Sequence, residues 1–341
     1  MLVTLTTSLV QNLLKSIIGL YWVQEVSLFP MATGMALTML LLTMKASKPK
    51  GEYVVFSRID QKTSLKSIIT ANLKPIIIDL KEDSKGGLVT DIEQIEKAID
   101  KYGSDNILTV FSVLSSFAPR NYDNITEIAK ICKAKNVYHI INNAFGIQCT
   151  KCSETLNAAI KAGSFDAVVS SFDKNFLVPV GGSLIYTPHK GGFAKKTAEA
   201  YPGRASIGPI LDLLITLLEM GKEGLKKLIK ERKELYVYAK ERTKELVSRY
   251  GESVIENTEN KISIGITLSK LVEESKKDAN AFGGYLYTRR VSGVRVVSKE
   301  KKSVCGIEFS NYGCHTESYS KLPYMTFAVP IGSKKEEVVT L

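Results

Sequence analysis

Between Tyr53 and Tyr186 short apolar runs alternate with longer segments whose apolar residues recur every three or four positions. The runs Tyr53–Phe56, Pro75–Asp79, Ile107–Phe111, Tyr138–Ile141, Asp166–Ser170 and Ser183–Tyr186 predict buried strands. The segments Lys62–Ala71, Asp91–Lys101, Asp123–Lys135 and Ser153–Ala162 predict helices between them. Such alternation predicts an α/β fold, a mostly parallel sheet with helices on both faces. Upstream, Leu2–Ile18 reads as an amphipathic helix, and Pro30-Met31-Ala32-Thr33-Gly34-Met35 opens another that runs to about Lys45. After Pro209 helices dominate, and Lys222–Arg249 carries apolar residues at Leu225, Leu228, Ile229, Leu235, Tyr236 and Ala239. Ile262–Leu268 begins a region of mixed elements. The expected division is a large domain over 1–220, then a linker helix and a small C-terminal α+β domain over 221–341.

This order of elements places chemistry. In a right-handed strand–helix–strand crossover both strands end at the same sheet edge, and open parallel sheets bind ligands there. The strand Val137–Ile141 ends in Asn142-Asn143, and the strand Asp166–Ser170 ends just before Ser171-Phe172-Asp173-Lys174, so an amide and an amine share one crevice. Lys174 is expected in a turn, with hydroxyls before it and Gly181-Gly182 after it. A lysine so placed suits a Schiff base with pyridoxal phosphate, a cofactor that also requires a phosphate cradle and a partner for its pyridine nitrogen. The small residues Ala32-Thr33-Gly34 at a helix start expose backbone N–H groups for a phosphate. Taken alone, each residue has a plainer reading: Lys174 as a solvated lysine, Ala32-Thr33-Gly34 as an ordinary helix start.

The bulk composition narrows the field. A chain of 341 residues with 44% hydrophobic and 24% charged residues has the make-up of a globular protein with a sizeable core. The longest apolar run, Met35–Met44, is too short to span a bilayer, and the N-terminus has neither the early positive charge nor the cleavage site of a signal peptide. A cytoplasmic protein is expected. Five cysteines, an odd number without a secretory signal, argue for reduced thiols. Cys149-Thr150-Lys151-Cys152 has a metal-like or redox spacing but no second pair, so buried inert thiols are the better reading and no metal is expected. The net charge of +11 favours a polyanionic partner or a strongly anionic substrate.

Together the motifs resemble the O-phosphoseryl-tRNA:selenocysteinyl-tRNA synthase family of fold-type I pyridoxal-phosphate enzymes. The matching stretches are Pro30–Met35, Arg58-Ile59-Asp60-Gln61-Lys62, Phe117-Ala118-Pro119-Arg120, Asn142-Asn143-Ala144 and Asp173-Lys174-Asn175-Phe176 with the Val178-Pro179-Val180-Gly181-Gly182 behind it. Tyr201-Pro202-Gly203-Arg204-Ala205-Ser206, Thr288-Arg289 and Val291-Ser292-Gly293 complete the set, in the family's order. The resemblance implies that Lys174 carries pyridoxal 5'-phosphate and acts as the catalytic base. It implies that Asn142 faces the pyridine nitrogen, that Ala32, Thr33, Gly34 and Ser171 hold the cofactor phosphate, and that Gln61 lies against the ring. Arg204 corresponds to an arginine for the substrate's phosphoryl group, which its planar fork can grip at two oxygens. Arg289 corresponds to a contact with the discriminator base of a tRNA. Phosphoserine-charged tRNA(Sec), selenophosphate and a homo-oligomeric partner, dimer or tetramer, follow from the same resemblance. So does an additional N-terminal region, with a phosphate-gripping loop and tetramer-building helices, after which this sequence begins.

Two other readings stay open on the residues. One is another fold-type I enzyme, a sulfur-transferring phosphoseryl-tRNA relative or a β-lyase. The other is a tRNA-binding paralogue or fragment with impaired catalysis.

Overall fold

The computed structural model describes residues 1–204 and 206–340; Ala205 of the Tyr201–Ser206 motif and Leu341 at the end of the predicted small domain lie outside the described residues. Its centre is a seven-stranded sheet. In chain order the strands are β1 (Glu25–Phe29), β2 (Tyr53–Ser57), β3 (Lys74–Ile78), β4 (Ile107–Val113), β5 (Tyr138–Asn142), β6 (Ala167–Ser171) and β7 (Ser183–Thr187). Their order across the sheet is β1-β7-β6-β5-β4-β2-β3. The pairs β2–β3, β2–β4, β4–β5 and β5–β6 are parallel, whereas β6–β7 and β1–β7 are antiparallel. Every residue of β4, β6 and β7 is buried, which is why these strands read as continuous apolar or small-residue runs instead of alternating ones.

The helices are α1 (Leu2–Ser16), α2 (Thr33–Ser47), α3 (Lys62–Thr70), α4 (Ile92–Tyr102), α5 (Ile125–Lys135), α6 (Thr150–Ala162), α7 (Asp173–Phe176), α8 (Phe193–Ala200) and α9 (Gly208–Ser248). One apolar cluster, including Leu13, Leu14, Leu114, Ile141, Leu156, Phe165 and Val168, lies between the sheet and α1, α6 and α9. A second, including Leu37, Leu40, Leu41, Phe56, Ile68, Phe111 and Ile140, packs α2, α3 and α8 against the sheet. Asp91 and Asn124 start α4 and α5 by accepting from the backbone N–H groups of Gln94 and Glu127. The turn expected around Lys174 is instead one turn of helix, α7, closed by Leu177 in the left-handed region at φ 56°. The strand β1 was not expected. Its burial pattern is mixed, and it exists as a strand through its antiparallel pairing with β7.

The predicted linker helix is the second half of α9. Gly221, at φ 62° and ψ −179°, breaks the helical path, so Lys222–Ser248 leaves in a new direction. Its apolar side packs Tyr236, Ala239 and Val247 on a four-stranded antiparallel sheet. That sheet orders Val254–Ile255, Ser263–Thr267, Tyr324–Ala328 and Arg295–Val297. Two short helices, Ser269–Ser275 and Ala279–Thr288, precede its last two strands in the chain.

His139, in β5, is fully buried. Its Nε2 lies 2.6 Å from Ser112 Oγ, and burial pushes its pKa from 6.5 down to about 3. The unfolded chain therefore binds a proton that the folded chain refuses between pH 6.5 and about 3, and stability falls as pH drops through that window. The neighbouring Asp166, raised by burial from 3.8 to about 6, works in the opposite direction between those values, over most of the same range. In His139→Gln, the fall in urea midpoint from about pH 7 to about pH 4 should be smaller than in the unaltered chain. Equal falls in both proteins would remove His139 from the account.

Candidate active site

The carboxyl edge of the sheet gathers the predicted residues. Asn142 ends β5 and Ser171 ends β6, and the two strands pair in parallel with Asn142 opposite Val169. Lys174 follows in α7. Its Nζ donates to Asp173 Oδ2 at 3.0 Å and to Ser171 Oγ at 3.3 Å, and it sits 5.5 Å from the centroid of the Phe145 ring. Ser171 also donates to Asp173. The lysine side chain keeps 32% of its exposure, so the amine is held but reachable.

Asn142 is nearly buried, and its orientation is set by the backbone. Ala144 N–H donates to Asn142 Oδ1 at 3.1 Å, which assigns the oxygen, and Asn142 Nδ2 donates to Ser64 Oγ at 3.2 Å. One Nδ2 hydrogen remains for a further acceptor. Ser64 stands in the first turn of α3, directly after Gln61, the half-buried residue before that helix. From the other side, α2 begins at Thr33, after Ala32 in extended conformation. The first N–H groups of this four-turn helix have no intrahelical acceptor. Ser183 Oγ on β7 donates to Met31 O at 2.6 Å and fixes the approach to it.

Two details fit a phosphate at this helix start. The buried Thr33 Oγ1 has no hydrogen-bond partner among the described residues. At Gly34 an added Cβ would come within 2.6 Å of Thr63 Cγ2, so a side chain would crowd the space between the starts of α2 and α3. With a tethering amine, an amide donor and an N-terminal cradle beside one another, the residues present fit pyridoxal phosphate.

The two predicted substrate arginines lie elsewhere. Arg204 is exposed between α8 and α9, and Arg289 caps Ala279–Thr288 in the small domain, stacked 4.6 Å from the Tyr285 ring centroid. Neither touches Lys174 within this chain. Cys149 and Cys152 are buried thiols at the start of α6. Tyr122 Oη lies 3.7 Å from Cys149 Sγ, and the Cys152 side chain lowers the pKa of the Cys149 thiol.

Sequence reasoning missed the frame around these residues. Arg58, quoted only as part of a motif, pairs with Asp60 at 2.9 Å, both nearly inaccessible. Asp60 Oδ2 also accepts from the backbone N–H groups of Gly313 and His315, each at 2.8 Å, and Asp60 N–H donates to His315 Nδ1 at 2.8 Å. Burial works against ionisation of Asp60, but His315 and Arg58 more than offset it and hold the carboxyl below its ordinary range. Asn175 was another omission. Its amide donates to Ala144 O at 2.8 Å and Ser171 O at 2.7 Å, tying α7 to the ends of β5 and β6. The signal for it was its place directly after the lysine.

The fold matches that of solved structures. A structure of Oryza sativa TDC with PLP and tryptamine superposes with TM-score 0.70 over 99% of this chain and 74% of its own, at 12% identity. This defines the fold as that of fold-type I pyridoxal-phosphate enzymes. A sequence profile described as O-phosphoseryl-tRNA(Sec) selenium transferase, SepSecS, matches residues 1–341. The Dictyostelium discoideum O-phosphoseryl-tRNA(Sec) selenium transferase is 44% identical over 331 residues, 92% of this chain and 68% of its own length. An archaeal O-phosphoseryl-tRNA(Sec) selenium transferase structure aligns with TM-score 0.88 and 29% identity over 99% of this chain and 73% of that one. The chain belongs to the O-phosphoseryl-tRNA(Sec) selenium transferase family. It spans about two thirds, 66–68%, of the length of the first curated relatives it matches.

Asp60→Asn leaves Arg58 buried beside a neutral amide and turns one acceptor into a donor facing two N–H groups. The variant should lose about 3–5 kcal/mol of stability by urea unfolding, the usual cost of breaking a buried pair. A loss below about 1 kcal/mol would show that the pair does not hold the domains together.

Proposed function

We propose that this chain converts O-phosphoseryl-tRNA(Sec) to selenocysteinyl-tRNA(Sec), with selenophosphate as selenium donor and pyridoxal 5'-phosphate as cofactor. The observation that carries the reading is the meeting of Lys174, the oriented Asn142 amide and the Thr33–Gly34 helix start at one sheet edge, in a chain of this family. Ala32, Thr33, Gly34 and Ser171 hold the cofactor phosphate, Gln61 lies against its ring, and Lys174 anchors it. When bound, the cofactor supplies an electron sink for the pair left at the α-carbon.

The protein's own part follows from these positions. Lys174 Nζ would hold the cofactor and, as the free amine, would take the α-proton of the phosphoseryl group. Asp173 and Ser171, within hydrogen-bond reach of that Nζ, hold the amine in place as it takes and gives up the proton. Arg204 grips the phosphoryl group, and the Cβ–O bond breaks with its electron pair leaving on the oxygen of inorganic phosphate. The selenium of selenophosphate adds to the vacated β-carbon while Lys174 returns the proton to the α-carbon, and water cleaves the P–Se bond to release a second phosphate. Arg289 contacts the tRNA, and the net charge of +11 suits such a polyanion. Asn142, with its oxygen committed to Ala144 N–H, offers the pyridine nitrogen a hydrogen-bond donor and no negative charge. That favours the unprotonated nitrogen and a weaker sink, sufficient where the leaving group is phosphate.

The working protein is a cytoplasmic homo-oligomer, a dimer or tetramer. Supporting this, Leu177 and Val180 beside the lysine turn are 49% and 77% exposed, and Ile215 and Leu218 on α9 are 63% and 65% exposed. No helix among the described residues is long and apolar enough to cross a membrane.

Incubation with pyridoxal phosphate, borohydride reduction and peptide mapping should place a phosphopyridoxyl group on Lys174. Release of phosphate from phosphoseryl-tRNA, but not from free phosphoserine, should accompany it. A folded chain that gains no adduct on Lys174 would contradict the reading. Asn142→Asp should raise the share of turnovers lost to transamination, measured as pyridoxamine phosphate formed per phosphate released. An unchanged ratio would remove the assigned role of the amide.

A further inference from the structure

Gln148 is almost fully inaccessible, and its polar groups reach two separate parts of the molecule, α7 and the segment at Ile331. It lies in the single 3₁₀ turn Gly146–Gln148 that follows β5. Its Nε2 donates to the backbone carbonyl of Lys174. Its Oε1 accepts from Ile331 N–H at 2.7 Å, and its own backbone N–H donates to Asn175 Oδ1 at 3.2 Å. Ile331 lies three residues after Tyr324–Ala328, an inner strand of the small-domain sheet, and its side chain is buried in the large-domain core. The segment between them is held as well, by Arg232 Nε on Val329 O at 3.1 Å and by Val329 N on Ile262 O at 3.0 Å.

We propose that Gln148 is a positioning residue for Lys174, coupling the seat of the small-domain segment at Ile331 to the orientation of the lysine. Resting on the function proposed above, this adds a route by which closure of the small domain reaches the reacting amine. The physical argument is one of constraints. Asn175 fixes α7 from the side of β5 and β6 through Ala144 O and Ser171 O, and its backbone N–H donates to Phe172 O at 3.1 Å, but none of these bonds holds the Lys174 carbonyl. Gln148 supplies the missing restraint at the Lys174 carbonyl, one residue before Asn175 and three before the left-handed Leu177. A side-chain amide suits this task because it donates at one end and accepts at the other, so both neighbours must be in place for neither end to be left buried and unpaired. If the Ile331 segment withdraws, the Gln148 oxygen loses its partner, and the amide is free to leave Lys174.

Two variants remove the bond to Lys174. Gln148→Glu keeps an acceptor for Ile331 N–H and loses the donor to Lys174; Gln148→Met loses both. The first readout needs no cofactor: the labelling rate of Lys174 by trinitrobenzenesulfonate against pH, measured by peptide mass, with the exposed Lys195 as internal reference. Both variants should change the Lys174 rate by roughly threefold to tenfold, the factor one net hydrogen bond carries, and leave Lys195 unchanged. Should Gln148→Met fail to fold, Gln148→Glu decides alone. A Lys174 profile identical to the unaltered chain's in a folded variant would overturn the proposal. The second readout is the rate of pyridoxal phosphate capture, which should slow by a similar factor in both variants. An unaltered chain that labels normally yet captures no cofactor would count against the proposed function, while the labelling profiles would still decide the role of Gln148.

Discussion

The buried Arg58–Asp60 pair is the constraint on which the rest of this structure depends. A guanidinium and a carboxylate taken out of water are stable only when their remaining donors and acceptors are met. Here the large domain alone does not meet them. Asp60 takes two backbone N–H groups from Gly313 and His315, while Arg58 reaches Asn311 O and Glu317, all beyond the small-domain helices in sequence. Arg295 completes the join, with both terminal nitrogens 3.3 Å from Asp60 O. The small domain is thus required to satisfy the ion pair, and the ion pair fixes the residue next to Gln61. The start of α3, and with it Ser64 and the Asn142 amide, inherits that position.

A second constraint comes from the sheet. Parallel strands β2, β4, β5 and β6 end at one edge, and there each chain segment must turn with its backbone polar groups unpaired by the ladder. Side-chain amides fill the gap: Asn142 on Ala144, Asn175 on Ala144 and Ser171, Gln148 on Lys174 and Ile331. The site is therefore made by the same groups that finish the fold. Among the buried groups left unpaired here, Asn143 Oδ1 directly follows β5, and Thr33 Oγ1 lies at the helix start where an anion would bind.

Much of this was legible in the sequence. The six predicted strands agree with β2–β7 to within about two residues at each end, because buried parallel strands are continuous apolar runs and the helices between them keep a clear period. The lysine, the two asparagine positions and the helix start were legible from their offsets relative to those strands. The small domain was less so: its sheet strands are two to five residues long, and its core includes Tyr236 and Val247 from a helix that a kink at Gly221 redirects.

The sequence by itself determined the order of elements, the edge at which the chemistry gathers and the family to which the chain belongs, since these depend on periodicity and on motifs read along the chain. Tertiary structure alone decided which partners close the site. That β1 is a strand, that Asp60 binds the backbone at 313 and 315, and that Gln148 holds both Lys174 and Ile331 are facts about residues tens to hundreds of positions apart. No local pattern encodes such pairings. They arise because a buried donor or acceptor must find its complement wherever the folded chain brings one within reach.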